Sequence, residues 1–263
     1  MRKFNLFIIS LLLPLGWLAL PVHSVAAEEK NEPVFIISHC MKVKSQNYLS
    51  VEKDMWLPMH QELVNQGKKK NWALYRVLYG DRSNCDYYVI ESYIGEEQLS
   101  EAHDNLEEIF NKVHPGQNIE EAMNKTESSR DMASTSLWVK IDTVGIKPHT
   151  FVTVNWMNAK EPDKYITLER NIWKPIHQEL SDKGNIAGWG LYALASPRGS
   201  LQGYNFATVD FSNKLGPLPI EKALKSIHPN KNINEIFAET SAVRDDVYSQ
   251  TWVKIANTVQ ANP

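Results

Sequence analysis

The chain has 263 residues, 43% hydrophobic and 22% charged, with 28 Lys and Arg against 31 Asp and Glu for a formal net charge of −3. That length suffices for two domains of ordinary size. The balance is that of a globular protein, and no basic stripe marks a nucleic-acid partner.

Arg2 and Lys3 precede an apolar run from Leu6 to Leu20, then Pro21 and Val25-Ala26-Ala27 before Glu28. A basic start, an apolar core and small residues at a cleavage point read as a secretory signal peptide over residues 1–27. An uncleaved membrane anchor is the alternative, although the apolar run is short of the ~20 residues a spanning helix needs. The mature chain is therefore expected in the periplasm of a bacterium or secreted, with no membrane attachment after cleavage.

Val34 to Val43 is short, apolar and β-branched, and reads as a strand. A helical pattern follows from Tyr48 to Asn65, ended by Gly67 and the basic run Lys68–Lys70. Trp72 to Tyr79 and Tyr87 to Tyr93 read as strands of a hairpin across the turn cluster Gly80–Asn84. Glu97 to Val113 reads as one helix, broken by His114-Pro115-Gly116. Asn118 with Glu121 predicts a capped helix running to about Met132, and Leu137-Trp-Val-Lys-Ile-Asp142 a last strand.

The cycle then repeats. Met55-Trp-Leu-Pro-Met-His-Gln-Glu-Leu…Gly67…Trp72-Ala-Leu-Tyr75 recurs as Ile172-Trp-Lys-Pro-Ile-His-Gln-Glu-Leu…Gly184…Trp189-Gly-Leu-Tyr192, at an offset of 117. His114-Pro115 returns as His228-Pro229, Arg130-Asp131 as Arg244-Asp245, and the last strand as Thr251-Trp-Val-Lys-Ile-Ala256, at an offset of 114. His114 and His228 are expected to cap helix ends, and Arg130 and Arg244 to be ion-pair partners.

Each copy, 33–145 and 149–259, reads strand, helix, strand, strand, helix, strand. That order is the ferredoxin-like split βαβ plan, α+β in class. Its sheet order 4-1-3-2 sets strand 1 beside strand 3, bringing Cys40 near Cys85. At the 117 offset their counterparts are Met157 and Gln202, so both thiols are missing together from the second copy. An exported chain permits a disulfide there; two buried free thiols are the alternative.

Each repeat leaves one sheet face bare of helices, and two repeats can cover each other sheet to sheet. In this order of elements, and in the Trp-x-Pro-x-His-Gln-Glu-Leu…Gly…Trp-x-Leu-Tyr pattern, nearly the whole mature chain resembles the dimeric α+β barrel superfamily. The same pattern marks exported bacterial proteins of this type. The resemblance implies two tandem βαββαβ repeats forming an intramolecular barrel. It names no reaction, because the superfamily spans monooxygenases, isomerases, cyclases and the haem-binding chlorite dismutase group.

On a helical wheel Tyr48, Glu52, Met55, Trp56, Met59 and Leu63 form one stripe, repeated by Tyr165, Glu169, Ile172, Trp173, Ile176 and Leu180. A carboxylate in a core stripe must be hydrogen-bonded or carry a raised pKa, and a raised pKa suits general acid or base work. Pro58 and Pro175 either kink this helix or start a new one. Glu52 and Glu169 are candidate proton-transfer groups or ties between helix and sheet, and His60 and His177 stand at the stripe's edge. Trp56, Trp173, Tyr75 and Tyr192 are candidate ligand contacts, although either sheet face is open to the tyrosines. No H-E-x-x-H, phosphate loop or G-x-S-x-G elbow is present, so no metal site and no cofactor are expected. The reading is a small-molecule binding protein, or a cofactor-free acid/base enzyme, holding a small apolar or aromatic ligand between the first helix and the sheet. A haem protein of the chlorite dismutase kind and a non-catalytic envelope protein are the alternatives.

Overall fold

A computed structural model describes residues 32–102, 104–199 and 202–260; the expected signal peptide lies outside them. Eight strands make one closed antiparallel barrel: β1 (Val34–Val43), β2 (Asn71–Tyr79), β3 (Tyr87–Ile94), β4 (Arg130–Val144), β5 (Phe151–Ala159), β6 (Gly188–Ser196), β7 (Phe206–Ser212) and β8 (Arg244–Asn257). Around the barrel they run β1-β3-β2-β8-β5-β7-β6-β4. Within each half the order is 4-1-3-2, as the ferredoxin-like plan requires. The halves face each other and also join along both edges, β2 to β8 and β4 to β6, so closure leaves no strand edge bare.

Among the described residues, seven helices lie on the outer face. The first, α1, is continuous through three segments: Tyr48–Ser50, a π-helical Val51–Trp56 and Leu57–Asn65. It is followed by α2 (Gly95–Ser100), α3 (Leu106–Val113) and α4 (Ile119–Ser129). In the second half α5 repeats α1 as Pro162–Leu168, a π-helical Glu169–Trp173 and Lys174–Asp182, then come α6 (Ile220–Ile227) and α7 (Ile233–Val243). Both long helices stop where Gly67 and Gly184 take φ of +70° and +71°. There Lys68 N–H reaches back to the Leu63 carbonyl and Asn185 N–H to that of Leu180, closing a left-handed helix end.

Two boundaries differ from the sequence reading. Glu97–Val113 is not one helix but two, broken before Asn105, which adopts φ +57°; Asn enters that region more readily than other side-chain-bearing residues. The helix expected to reach Met132 ends at Ser129, and the strand begins at once with extended Arg130. Long-range pairing of Arg130 with Val43 outweighs local helix propensity here.

Apolar residues collect on both sides of the sheet. Outside, Tyr165, Ile176, Leu180, Trp189 and Leu224 pack helices onto the second half, with Met59, Leu63, Phe110 and Ala122 in the first. Inside, Tyr75, Tyr88, Trp138, Trp156, Tyr192 and Trp252 face one another. Cys40 and Cys85 are disulfide-bonded on this inner wall, with Cα atoms 5.3 Å apart.

Candidate functional site

The π-helical segments settle the proline question. Leu57 N–H donates to the Glu52 carbonyl five residues back, and Lys174 N–H to that of Glu169. Pro58 and Pro175 then sit in the first turn of the next α segment, where a missing N–H costs little. Helix α1 neither breaks nor loses its face, since Tyr48, Glu52, Met59 and Leu63 are all buried. The histidines before Pro115 and Pro229 serve this device rather than their own helix ends alone. His114 Nε2 lies 2.9 Å from the Met55 carbonyl and His228 Nε2 3.3 Å from that of Ile172, in the last turn of each π segment. A π bulge inside an α-helix recurs at functional sites, and here it carries the two carboxylates.

Glu52 is 2% exposed and Glu169 3%. Burial pushes each carboxyl up to about 7, against opposing arginines, Arg130 and Arg244 respectively. From this shared start the two halves diverge.

In the first half, Arg130 Nε donates to Glu52 Oε1 at 3.2 Å. Beneath α1, Lys69 Nζ stands 2.9 Å from Glu91 Oε2 and 2.9 Å from His60 Nδ1. Tyr93 O–H also donates to Glu91, and His60 and His39 approach its other oxygen at 3.9 and 4.0 Å. Burial alone would raise the Glu91 carboxyl, but Lys69, His60 and His39 hold it well below the usual carboxylate range. His60 stacks on Trp72, ring centroids 5.1 Å apart, and Trp56 Nε1 donates to Thr126 at 2.8 Å. The space is filled by a salt bridge.

The second half lacks that plug. Lys69 aligns with the apolar Ile186, and Glu91 with the shorter Asp210. Both follow from the offset of the strands and from the pairs Trp72↔Glu91 and Trp189↔Asp210. Arg244 turns to Asp246, leaving its Nε hydrogen buried without an acceptor. A cavity of about 430 Å³ opens between α5 and the sheet, lined by Glu169, Trp173, His177, Trp189, Asp210 and Arg244 among others. His177 Nε2 is 3.2 Å from Asp210 Oδ1, and its Nδ1 bonds the Trp173 carbonyl at 2.8 Å. Burial opposes charging this ring, but Asp210 outweighs it and raises the His177 pKa. Trp173 also donates to Thr240 at 3.0 Å. The cavity thus holds a carboxyl of raised pKa, an imidazole–carboxylate pair, an unused guanidinium donor and two indole walls.

The Glu169 shift is a stability statement. With a folded pKa of about 7 against 4.5 unfolded, the folded protein holds the extra proton between those values. Its contribution is complete below about pH 4.5 and is lost as pH rises through 7. Glu169→Gln mimics the protonated acid, so it should leave stability at pH 4 nearly unchanged and raise it at pH 8 by about 3 kcal/mol. Urea titrations at the two pH values measure this; an equal effect at both would refute it.

Tyr75 and Tyr192 are not part of this pocket. They point through to the other face of the sheet, into the barrel, where they line a second cavity of about 1040 Å³. Their expected partnership with Glu52 or Glu169 is therefore corrected: the sheet lies between them. The 117 offset also slips in the first strand. Cys40 faces the barrel interior but Met157 faces the helices, so the register makes Trp156 the counterpart of Cys40, offset 116. Cys85 correspondingly matches Tyr204 rather than Gln202. Lys69, Glu91 and Asp210 escaped the sequence reading. The available signal was alternation, because Glu91 falls between Val89 and Tyr93 on the helix-facing side of β3, as Asp210 follows Phe206 and Thr208 on β7.

A haem does not fit these sites. His177 and His149 are the described histidines lining the two cavities, and both nitrogens of each are committed. Those of His177 meet Asp210 and the Trp173 carbonyl, and those of His149 meet Tyr75 and the Lys147 carbonyl. Among the described residues no group of three or more His, Cys, Asp and Glu is placed to hold a metal ion.

No family model matches the sequence, and no curated protein does. Solved structures do resemble the fold. A provisionally named monooxygenase from Fusobacterium nucleatum subsp. nucleatum aligns over 87% of this chain and 95% of its own, with a TM-score of 0.52 and 10% identity. A provisionally named monooxygenase from Lactobacillus acidophilus covers 87% and 97%, with a TM-score of 0.48 and 12% identity. A haem-binding protein from Thermus thermophilus covers 86% and 92%, with a TM-score of 0.47 and 12% identity. The fold is that of the dimeric α+β barrels; at such identities the likeness extends to the fold alone.

Proposed function

We propose that this protein binds a small aromatic or unsaturated molecule bearing an oxygen function in the second-half pocket, and that Glu169 exchanges a proton with it without a cofactor. The observation that carries this is a carboxyl of pKa about 7 lining an open cavity, where its first-half counterpart lies above a salt bridge. Glu169 as carboxylate takes a proton from an acidic C–H beside a carbonyl and returns it at another carbon or at oxygen. The balance is a tautomerisation, with nothing oxidised. Arg244 Nε supplies the donor for the oxygen on which charge develops. Trp173 and Trp189 hold the planar body. His177, fixed by Asp210, is a positioning residue.

Ile186→Lys should close the pocket, because it restores the lysine that fills the first half. Saturation-transfer NMR with a panel of aryl ketones and phenols, run on wild type, Glu52→Gln, Glu169→Gln and Ile186→Lys, separates the cases. Binding that survives Glu52→Gln and is lost in Ile186→Lys, with deuterium exchange from solvent at the ketone's α-carbon lost in Glu169→Gln, supports the assignment. Binding indifferent to Ile186→Lys, or exchange indifferent to Glu169→Gln, sinks it.

We also propose that the two units, 33–145 and 149–259, arose by duplication and that the chain works outside the cytoplasm after removal of residues 1–27. The Cys40–Cys85 bridge supports export, since such bonds persist in oxidising compartments. The intact mass of protein from a periplasmic extract should start near Glu28, and a full-length chain retained in the cytoplasm would refute it.

A further inference from the structure

The repeated Trp-Val-Lys-Ile segments have no part in the second-half pocket. On β4 Trp138 and Lys140, and on β8 Trp252 and Lys254, line the barrel interior, as side chains two apart on a strand share a face. The pseudo-twofold relation of the halves brings both lysines to the same end. Lys70, before β2, and Lys147, in the connection to β5, join them there. Among the described residues no Asp or Glu lines the cavity, and none of the four lysines has an ion-pair partner. Asp142, the carboxylate beside Lys140, is taken by Arg170 and Lys174.

Other features of the same space are neutral. His149 donates from Nδ1 to the Lys147 carbonyl, so its Nε2 accepts from Tyr75 O–H, 3.0 Å away. Burial, with Lys254 nearby, lowers that imidazole to about 4, so it adds no charge at neutral pH. Lys254 Nζ hangs 6.0 Å from the Tyr75 ring. Deeper in, Trp138, Trp156, Tyr192 and Trp252 form the wall, while Ser38, Ala73, Ser92 and Ala207 at other interior positions leave the space open. Eight-stranded barrels either fill their interior with side chains or hold one small ligand, and a void of this size is foreign to a close-packed core. Exposed Ile146, Lys147 and Asn257 put the lysine end at the surface.

We propose that the barrel interior is a second ligand site, separate from the Glu169 pocket, for an amphipathic organic anion whose apolar or aromatic body lies among Trp138, Trp156 and Trp252 and whose acidic group meets Lys140 and Lys254. It is independent of the proton-transfer reading, since the two spaces lie on opposite faces of the sheet and share no charged residue, although Tyr248 lines both.

Two probes that differ by one sulfonate test it: 1-anilinonaphthalene-8-sulfonate and its uncharged analogue N-phenyl-1-naphthylamine, followed by probe fluorescence and energy transfer from tryptophan. The sulfonate should bind the full mature chain with one-to-one stoichiometry. Lys140→Gln combined with Lys254→Gln should weaken it about ten-fold or more, leaving the uncharged probe within about two-fold. Ala207→Tyr, which restores the residue found at the counterpart Tyr88, should weaken both probes about ten-fold. If that variant does not fold by circular dichroism, Ser92→Phe fills the cavity instead. Three results overturn the site: no binding to the wild type at millimolar probe, sulfonate binding unchanged in the lysine pair or the filled cavity, or binding lost in Ile186→Lys.

Discussion

Lys69→Met should destabilise the protein by about 3–5 kcal/mol, because it strands a buried carboxylate. Glu91 is 6% exposed and Lys69 3%, and the ammonium 2.9 Å away is the principal group holding that carboxylate ionised. The lysine itself is pulled below its ordinary value by burial, with Glu91 opposing, so neither partner tolerates losing the other. His60 and His39 are about a bond length too far to replace it. The double variant Lys69→Met, Glu91→Met removes both charges and should recover most of the stability, since apolar replacement of a buried pair is often close to neutral. Urea unfolding of the single and double variants measures the coupling. A single variant within 1 kcal/mol of wild type would show that the salt bridge is not what occupies the first half.

Loss of the Cys40–Cys85 bridge is the other large effect. The two residues are 45 apart in sequence, and closing a loop of that length in the unfolded chain is worth about 4 kcal/mol on the loop-entropy model. For a chain of this size that corresponds to roughly 8–16 °C in Tm. Cys40→Ala with Cys85→Ala, and wild type held in reductant, should melt alike and earlier than the oxidised protein in calorimetry. The second half covers the same place with Trp156 and Tyr204, ring centroids 6.3 Å apart, so the loss falls on an inner wall that packing can also secure. Unchanged melting in reductant would mean the unfolded chain gains nothing when the loop opens.

Much of the architecture was legible because it occurs twice. Strand order, the sheet position of the cysteines and the buried face of α1 all follow from periods and offsets that the recurring sequence makes visible. Glu52 and Glu169 could be placed because polar residues in a core stripe stand out. The site was harder. Alternation assigns a face only when one side of a strand meets water, and β2 and β6 are buried on both sides around Tyr75 and Tyr192, so neither tyrosine could be oriented. Lys69 sits in a run of three lysines that reads as solvated surface; its burial depends on Glu91, which arrives from another strand. The one-residue slip between Cys40 and Trp156 hides in a strand that is apolar in both registers. The hollow barrel is a property of closure, since Ser38, Ala73, Ser92 and Ala207 are ordinary strand residues until they face one another.

The seam between β2 and β8 has a consequence for how the molecule is made. Ala73 pairs with Asn257, so a strand near the start of the described chain waits for one near its end. Neither four-stranded half can complete its hydrogen bonding alone, and contacts this distant in sequence are slow to form because loop closure precedes any gain. During synthesis the first half carries two open strand edges until β6 and β8 emerge, and such edges invite pairing with other chains. The 45-residue disulfide loop lies wholly within that waiting half. After export it can form before the barrel shuts, holding β1 against β3 while the later strands are still unpaired.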